Sequence, residues 1–443
     1  MTDLTQYWMK AGSAAELVRG IETAVARGEL APGQRLPSVR RLAVEVGLSP
    51  VTVAAALAEL RRRGVVLTEQ RRGTRIGPGP PIGSARSPLP VPAGARDLSR
   101  GNPDPALLPD LKLALSRVTL PVHLYGEPAV LPELSSLARE QLRADGIPSE
   151  SLCVLSGALD GIARVLEAHL RPGDRVAVEN PGYAALFDLL RAHGLILEAV
   201  EVDDRGMRPA GLEAALARGA SAAIITPRGQ NPTGAALDER RARELRKVLA
   251  RVPEALVIED DHLGSVADSA LHTTVPGCGR WAATRSVAKA LGPDLRLAVL
   301  AGDEQTLARV EGAQRCGPGW VSHILQQLVL SLWADTEVQG LVHRASATYA
   351  ERRAGLLERL HERGVRASGA SGLNVWVPVD DETAVVGALL QRGWVVASGL
   401  PYRLPGTPPA IRVTISTLEG HEVGRLAADL AAVLAPTAIS RSG

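Results

Sequence analysis

Residues 77–95 read Gly-Pro-Gly-Pro-Pro-Ile-Gly-Ser-Ala-Arg-Ser-Pro-Leu-Pro-Val-Pro-Ala-Gly-Ala, and ten of these nineteen are proline or glycine. Proline fixes φ and lacks an amide hydrogen, so neither a helix nor a central strand runs through such a segment. A semi-extended spacer is expected instead. It divides the chain into a short N-terminal domain (residues 1–76), a linker (77–97) and a body (98–443) with its own core. No internal repeat is visible in either part.

The net charge of +2 conceals an asymmetry across this divide. Residues 1–76 hold twelve Lys and Arg against seven Asp and Glu, a net of +5; the remainder holds 38 against 41, a net of −3. A small basic module on a slightly acidic body suggests an attachment that binds a polyanion. Aromatic residues make up only 3% of the chain, so Leu, Val and Ala must fill the core. Cys153, Cys278 and Cys316 are too scattered for a disulfide framework or a CxxC metal knuckle, which points to a reducing cytoplasm and no metal. The nine histidines show no paired metal spacing. No apolar run is long enough for a bilayer, and the N-terminus lacks a signal layout, so no membrane partner is expected.

Three helical patterns precede the linker. Over residues 14–28, Leu17, Ile21 and Val25 recur every four residues. Ser38 can cap a second helix carrying Val39, Leu42, Ala43 and Val46, which Gly47 ends; Ser49 and Pro50 open a third, which Gly64 stops. Residues 65–68 and 74–76 read as two strands joined by a turn. Two helices around a glycine, followed by a basic hairpin, are the parts of a winged helix-turn-helix. Gly33-Gln-Arg-Leu-Pro-Ser-Val-Arg-Arg-Leu-Ala43, Gly47-Leu-Ser-Pro-Val-Thr-Val53, Leu57-Ala-Glu-Leu60 and Arg72-Gly-Thr74 resemble the GntR-type winged helix. That resemblance implies double-stranded DNA as partner. Arg35, Ser38 and Arg40 would lie at the backbone or groove edge, Ser49 and Thr52 in the major groove, and Arg71, Arg72, Gly73 and Thr74 at the wing tip. Pro50 stands where that family often has a basic or polar residue, which removes a contact.

The body alternates short apolar runs (Leu152-Cys-Val-Leu155, Arg175-Val-Ala-Val178, Ala222-Ala-Ile-Ile225, Leu256-Val-Ile258, Leu297-Ala-Val-Leu300) with helical segments. This predicts an α/β fold with a mainly parallel sheet. Ligands of such sheets gather at the carboxyl ends of the strands, where Ser156-Gly-Ala158, Asn180-Pro-Gly-Tyr183, Asn231-Pro-Thr-Gly234, Asp260-Asp-His262 and Lys289 fall. Only four of the fifty basic residues are lysine, and Lys289 lies within Ser286-Val-Ala-Lys-Ala-Leu-Gly-Pro-Asp-Leu-Arg296. A desolvated lysine can lose its proton and attack an aldehyde, which arginine cannot.

The order and spacing of these motifs over about residues 98–434 resemble fold-type I aminotransferases, which bind pyridoxal 5′-phosphate (PLP). With the GntR-type head, the whole chain resembles the MocR/GabR family of PLP-dependent transcriptional regulators. The resemblance implies that Lys289 carries the cofactor as an aldimine and that Asp260 pairs with the pyridine nitrogen. It implies that Asn231 donates to the phenolic oxygen and that Tyr183 stacks on the ring. Gly157, Ala158, Ser286 and Arg296 would form the phosphate cup. Tyr125 would reach the neighbouring subunit's phosphate in a homodimer, and Arg412 would clamp an effector carboxylate unless it is only an exposed strand arginine. His262 departs from the tyrosine common in the family, and its charge is expected to vary near neutral pH.

Two functions remain open at this stage. One is a transcriptional regulator whose body senses an amino acid, an amine or PLP itself, in vitamin B6 or amino-acid metabolism. The other is an active PLP-dependent aminotransferase with an accessory DNA-binding head; Asn231, where many of the regulators carry phenylalanine, keeps it open.

Overall fold

The computed structural model describes residues 12–435 except 28, 32, 63–64, 70–72 and 78–90. Most of the linker, the expected stop at Gly64 and the wing-tip residues Arg71 and Arg72 therefore lie outside the described residues.

The N-terminal head is built as the sequence patterns predict. Helix α1 (Ala14–Ala26) starts where Ser13 accepts a hydrogen bond from the Glu16 amide. Helix α2 (Val39–Val46) starts at Ser38, whose hydroxyl accepts from the Arg41 amide, and ends at Gly47 with φ 71°. A side chain would be strained in that left-handed conformation. Helix α3 (Pro50–Arg62) has proline at its first position, where the missing amide hydrogen costs no helical bond. The axes of α2 and α3 differ by 110°, the angle of a helix-turn-helix. Strands β1 (Val66–Glu69) and β2 (Gly73–Ile76) form an antiparallel wing, extended by a bridge from Arg35 to Arg75. Leu17, Ile21, Leu42, Leu60, Val66 and Ile76 are all but fully buried in one core. Each contributes about 1.5–3 kcal/mol by leaving water.

The first strand of the body is β3 (Arg96–Asp97). Its large sheet comprises β4 (Leu152–Leu155), β5 (Arg175–Asn180), β6 (Ile196–Asp203), β7 (Gly206–Met207), β8 (Ala220–Ile225), β9 (Leu256–Asp261), β10 (Arg280–Ser286) and β11 (Ala298–Gly302). Their order across the sheet is β4-β11-β10-β9-β8-β5-β6-β7. Strands β8, β9 and β10 are parallel neighbours, and β11 runs antiparallel to both β10 and β4. Further along come β12 (Asn374–Pro378), β13 (Trp394–Val395), β14 (Ala397–Ser398) and β15 (Ala410–Thr414). Strands β12, β15 and β14 make a small sheet, while β13 pairs with β3. Thus Arg96 and Asp97 are hydrogen-bonded parts of the body. The five runs read as strands are all strands. Within the large sheet the sequence reading omitted β6, β7 and β10. Strand β10 carries Arg280, Thr284 and Arg285, and buried polar residues hide it from an apolar-run criterion. No single helix among the described residues is long and apolar enough to cross a membrane.

Candidate functional site

A cleft of about 260 Å³ opens in the body, and Tyr183, Asn231, Asp260, His262, Lys289 and Arg412 line it together. Ala158, Ser286 and Arg296 line it as well. Tyr125 does not. It is 93% exposed, with its ring edge against Trp320 at 5.6 Å between centroids.

Backbone geometry explains several of these positions. Strand β9 ends in Asp260 and Asp261, and successive residues of a strand face opposite ways. Asp261 turns into a buried ion-pair cluster. Its carboxylate accepts from Arg228 at 2.9 Å through two nitrogens and from Arg285 Nε at 2.8 Å. Burial opposes its charge, but the Arg285 and Arg228 guanidiniums outweigh burial and hold it well below the usual carboxylate range. Asp260 has no such partner. It is 5% exposed, and its Oδ1 is buried without a hydrogen bond. Burial, followed by the charge of Asp261, pushes its carboxyl up to about 7. A buried carboxylate oxygen left unpaired is costly unless a ligand completes it.

Lys289 follows β10 in the short helix Ala288–Leu291, and its Nζ donates to the Gly101 carbonyl at 2.6 Å. Burial, then the charge of Arg412, pulls its ammonium down to about 8, so a neutral amine is accessible near physiological pH. Arg412, in the middle of β15, is 3% exposed, which excludes the exposed-strand reading. One of its terminal nitrogens donates to Asn231 Oδ1 at 3.0 Å and the other to the Ser99 carbonyl. Its guanidinium lies 4.7 Å from the Tyr402 ring centroid, and its Nε is buried and unpaired. Burial works against its charge.

His262 requires a correction. Burial and the neighbouring Lys289 push its imidazole down to about 4, so it is neutral near pH 7 rather than titrating there. Burial, then Asp260, also raises the Tyr183 phenol.

At one side of the cleft, Gly157 has φ 101°, and a Cβ there would lie 2.9 Å from an Arg296 nitrogen. Arg296 is the one described non-glycine residue with positive φ, and its guanidinium donates to the Ser156 carbonyl at 3.2 Å. The helix Ala158–His169 begins beside them and presents its free amides. This corner suits a phosphate group. Gly234 of the Asn-Pro-Thr-Gly run also has a defined cause. At φ 71°, its absent Cβ would meet the Asn374 and Ser371 carbonyls at 2.9 Å. Arg100, Asn374 and Tyr402 line the cleft but were not singled out from the sequence. Arg228 and Asp261 were also missed, although Asp261 adjoins Asp260 and Arg228 lies three residues before Asn231.

In the head, Arg35 and Arg40 are exposed, and Ser38 serves as the α2 cap. The Ser49 and Thr52 hydroxyls lie 2.8 Å apart, and the Thr52 amide donates to Ser49 Oγ at 3.0 Å, so both work at the start of α3. Gly73 opens β2 with φ 85°, and Thr74 follows it half-buried.

Comparison with known proteins agrees with both halves. Residues 96–430 match the family "Aminotransferase class I and II", and residues 13–76 match "Bacterial regulatory proteins, gntR family". The chain is 39% identical to the vitamin B6 salvage pathway transcriptional repressor PtsJ of Salmonella typhimurium, over 94% of this chain and 97% of that one. It is 28% identical to the HTH-type transcriptional regulator TauR of Rhodobacter capsulatus, over 82% of each chain. Among solved structures, an archaeal alanine:glyoxylate aminotransferase superposes with a TM-score of 0.70 at 23% identity, covering 77% of this chain and 90% of that one. At that identity the likeness speaks for the fold.

Proposed function

This chain belongs to the MocR/GabR family of transcriptional regulators, a GntR-type winged helix joined to an aminotransferase-like body, and on that premise we propose that its cleft binds PLP and that occupancy of the cleft controls operator binding. The observation that carries this reading is the unpaired, buried Oδ1 of Asp260 in the same cleft as Lys289. A protonated pyridine nitrogen supplies the missing donor and the compensating charge.

The other residues fit the same group. When bound, PLP supplies an aldehyde that captures amines and a ring that takes up electron density. Lys289 offers an amine whose proton is held loosely. Gly157, the amides at Ala158, Ser286 and Arg296 offer a phosphate cradle. Tyr183 offers a ring face. Neutral His262 and Asn231 offer hydrogen-bonding groups around the phenolic oxygen. Arg412 offers a buried cation for a carboxylate.

Similarity to a vitamin B6 salvage repressor over nearly the whole chain supports PLP itself as the signal in this cytoplasmic regulator. Buried Arg412 favours a second signal, an amino acid or another carboxylated amine. The same residue, bonded to Asn231, keeps aminotransferase turnover as the alternative activity. Exposed Leu113, Leu115, Leu120, Val122, Leu124 and Tyr125 support a homodimer in which a second copy covers this stretch.

The test is a parallel titration of PLP into cofactor-free protein, following visible absorption and the affinity for operator DNA. Both should change over the same concentration range. A complete spectral change with no shift in DNA affinity, accompanied by steady amino transfer, would establish the enzyme instead.

A further inference from the structure

The outer face of α3 carries a surface that neither the core nor the helix cap uses. Among the described residues of the head, two large apolar side chains stand exposed, Val44 at 83% and Val51 at 80%. Val51 is the second residue of α3, and Ala54, Ala55 and Ala58, which follow it at helical spacing, are exposed too. From Pro50 to Ala58 the only polar side chain is Thr52, whose hydroxyl is engaged with Ser49. A solvated helix face ordinarily carries charged residues. Here the charges stand to either side, with Arg35, Arg40 and Arg41 exposed before α3 and Arg61 exposed at its far end.

This distribution is a readout chemistry. In the major groove, guanine is recognised by a donor such as Arg or Lys, adenine by Asn or Gln, and cytosine by an acceptor. The face from Pro50 to Ala58 offers none of these. What it offers is methyl groups, and the base-edge feature that methyl groups recognise is the C5-methyl of thymine. The flanking arginines are suited to phosphates, which set register without reading sequence. The small alanines leave room for the helix to approach the base edges closely.

Resting on the DNA-binding reading above, we infer that α3 selects its operator through thymine methyl groups, with Val51 the specificity-determining side chain. Each half-site then places a thymine opposite the first turn of α3.

The experiment uses the full chain, with and without PLP, to enrich duplexes from a random pool. Each thymine of the enriched duplex is then replaced singly by deoxyuracil, which removes the methyl and keeps base pairing. At least one such change per half-site should weaken binding roughly three- to ten-fold, the size expected for one methyl buried against Val51. V51A should bind the thymine and uracil duplexes within about two-fold of each other, having lost the contact that tells them apart. Because Val51 is exposed, its melting temperature should match the parent's. Tolerance of uracil at every position overturns the inference, as does unchanged discrimination by V51A or salt-dependent binding without an enriched sequence. Absence of any DNA binding would instead remove the DNA-binding reading on which the inference rests.

Discussion

Above about pH 7, replacing Asp260 by asparagine should stabilise the cofactor-free protein, and at the same time it should weaken the protein's hold on PLP. The carboxyl rises from its ordinary 3.8 to about 7 in the fold. An acid whose folded-state pKa is raised imposes no penalty below its unfolded pKa. The penalty grows as pH rises toward the folded value and is constant above it. At pH 8 the shift of about three units corresponds to about 4 kcal/mol of destabilisation, at ~1.36 kcal/mol per unit. At pH 5 the unfolded carboxyl is ionised over only about one unit, so the penalty is about 1.6 kcal/mol. Asparagine removes this pH-dependent cost and adds a pH-independent one of about 1–3 kcal/mol for a buried amide without partners.

The decisive quantity is therefore the pH dependence of the difference between Asp260→Asn and the parent. Between pH 5 and pH 8 it should move in favour of the variant by about 2–3 kcal/mol, roughly 3–4 °C in the melting temperature of a body this size. Glu179, itself raised to about 7 chiefly by burial, is present in both proteins and largely cancels. Adding PLP should reverse the order. At about a hundred times its dissociation constant, the ligand stabilises the parent by about 2.7 kcal/mol, whereas the variant has lost the anion that pairs with the ring nitrogen. Melting curves of stripped and reconstituted protein at several pH values test both halves. A difference that stays flat from pH 5 to pH 8 would refute the account of Asp260, and equal stabilisation by PLP would refute its role toward the cofactor.

Three further outcomes follow from the same geometry. Lys289→Ala should fold, bind PLP weakly through the remaining cradle and carry no label after borohydride treatment, whereas the parent should be labelled at Lys289; a label on Lys112 or Lys247 would move the site. Arg412→Ala should weaken a carboxylated effector roughly 10- to 150-fold, the worth of a charged hydrogen-bonded contact, while leaving PLP affinity within about three-fold, so calorimetry of the two ligands separates the candidate signals. In the head, Arg40→Ala should lower the slope of log affinity against log salt by ~0.9 if it contacts one phosphate, and an unchanged slope would place Arg40 outside the interface.

The sequence made the strands and the cleft legible to different degrees. Strands β4, β5, β8, β9 and β11 are visible because both their faces are buried, leaving short apolar runs. Strand β10 is just as buried, but Thr284 and Arg285 lie inside it, and the arginine's place there makes sense only once Asp261 is known to be across the register from it. Most of the lining residues quoted from motifs converge because they lie at the end of a strand or in the turn or helix that follows it, whereas Arg412 reaches the cleft from the middle of β15. Arg100, Asn374 and Tyr402 come from segments far apart in the chain, with no local pattern to announce them. The neutrality of His262 was equally hidden, since an imidazole's charge depends on neighbours that only the fold supplies.

The pair Asp260-Asp261 shows how one dipeptide sets both the scaffold and the chemistry. A single-residue step along β9 sends Asp261 into two guanidiniums and Asp260 into the cleft. Because the clamped anion cannot be neutralised near pH 7, its field acts on Asp260 throughout the physiological range. The free cleft thus contains a carboxyl that burial and its neighbour both drive toward protonation. A cation delivered to Oδ1 reverses that balance and gains more than it would at a solvated aspartate, because it also removes the mismatch. The same arrangement discriminates between ligands, since a neutral ring of the same shape would leave Asp260 as it was. For a regulator, that selectivity for a ring that can hold a proton is as useful as affinity, because differential interaction with two states is what lets a ligand shift their populations.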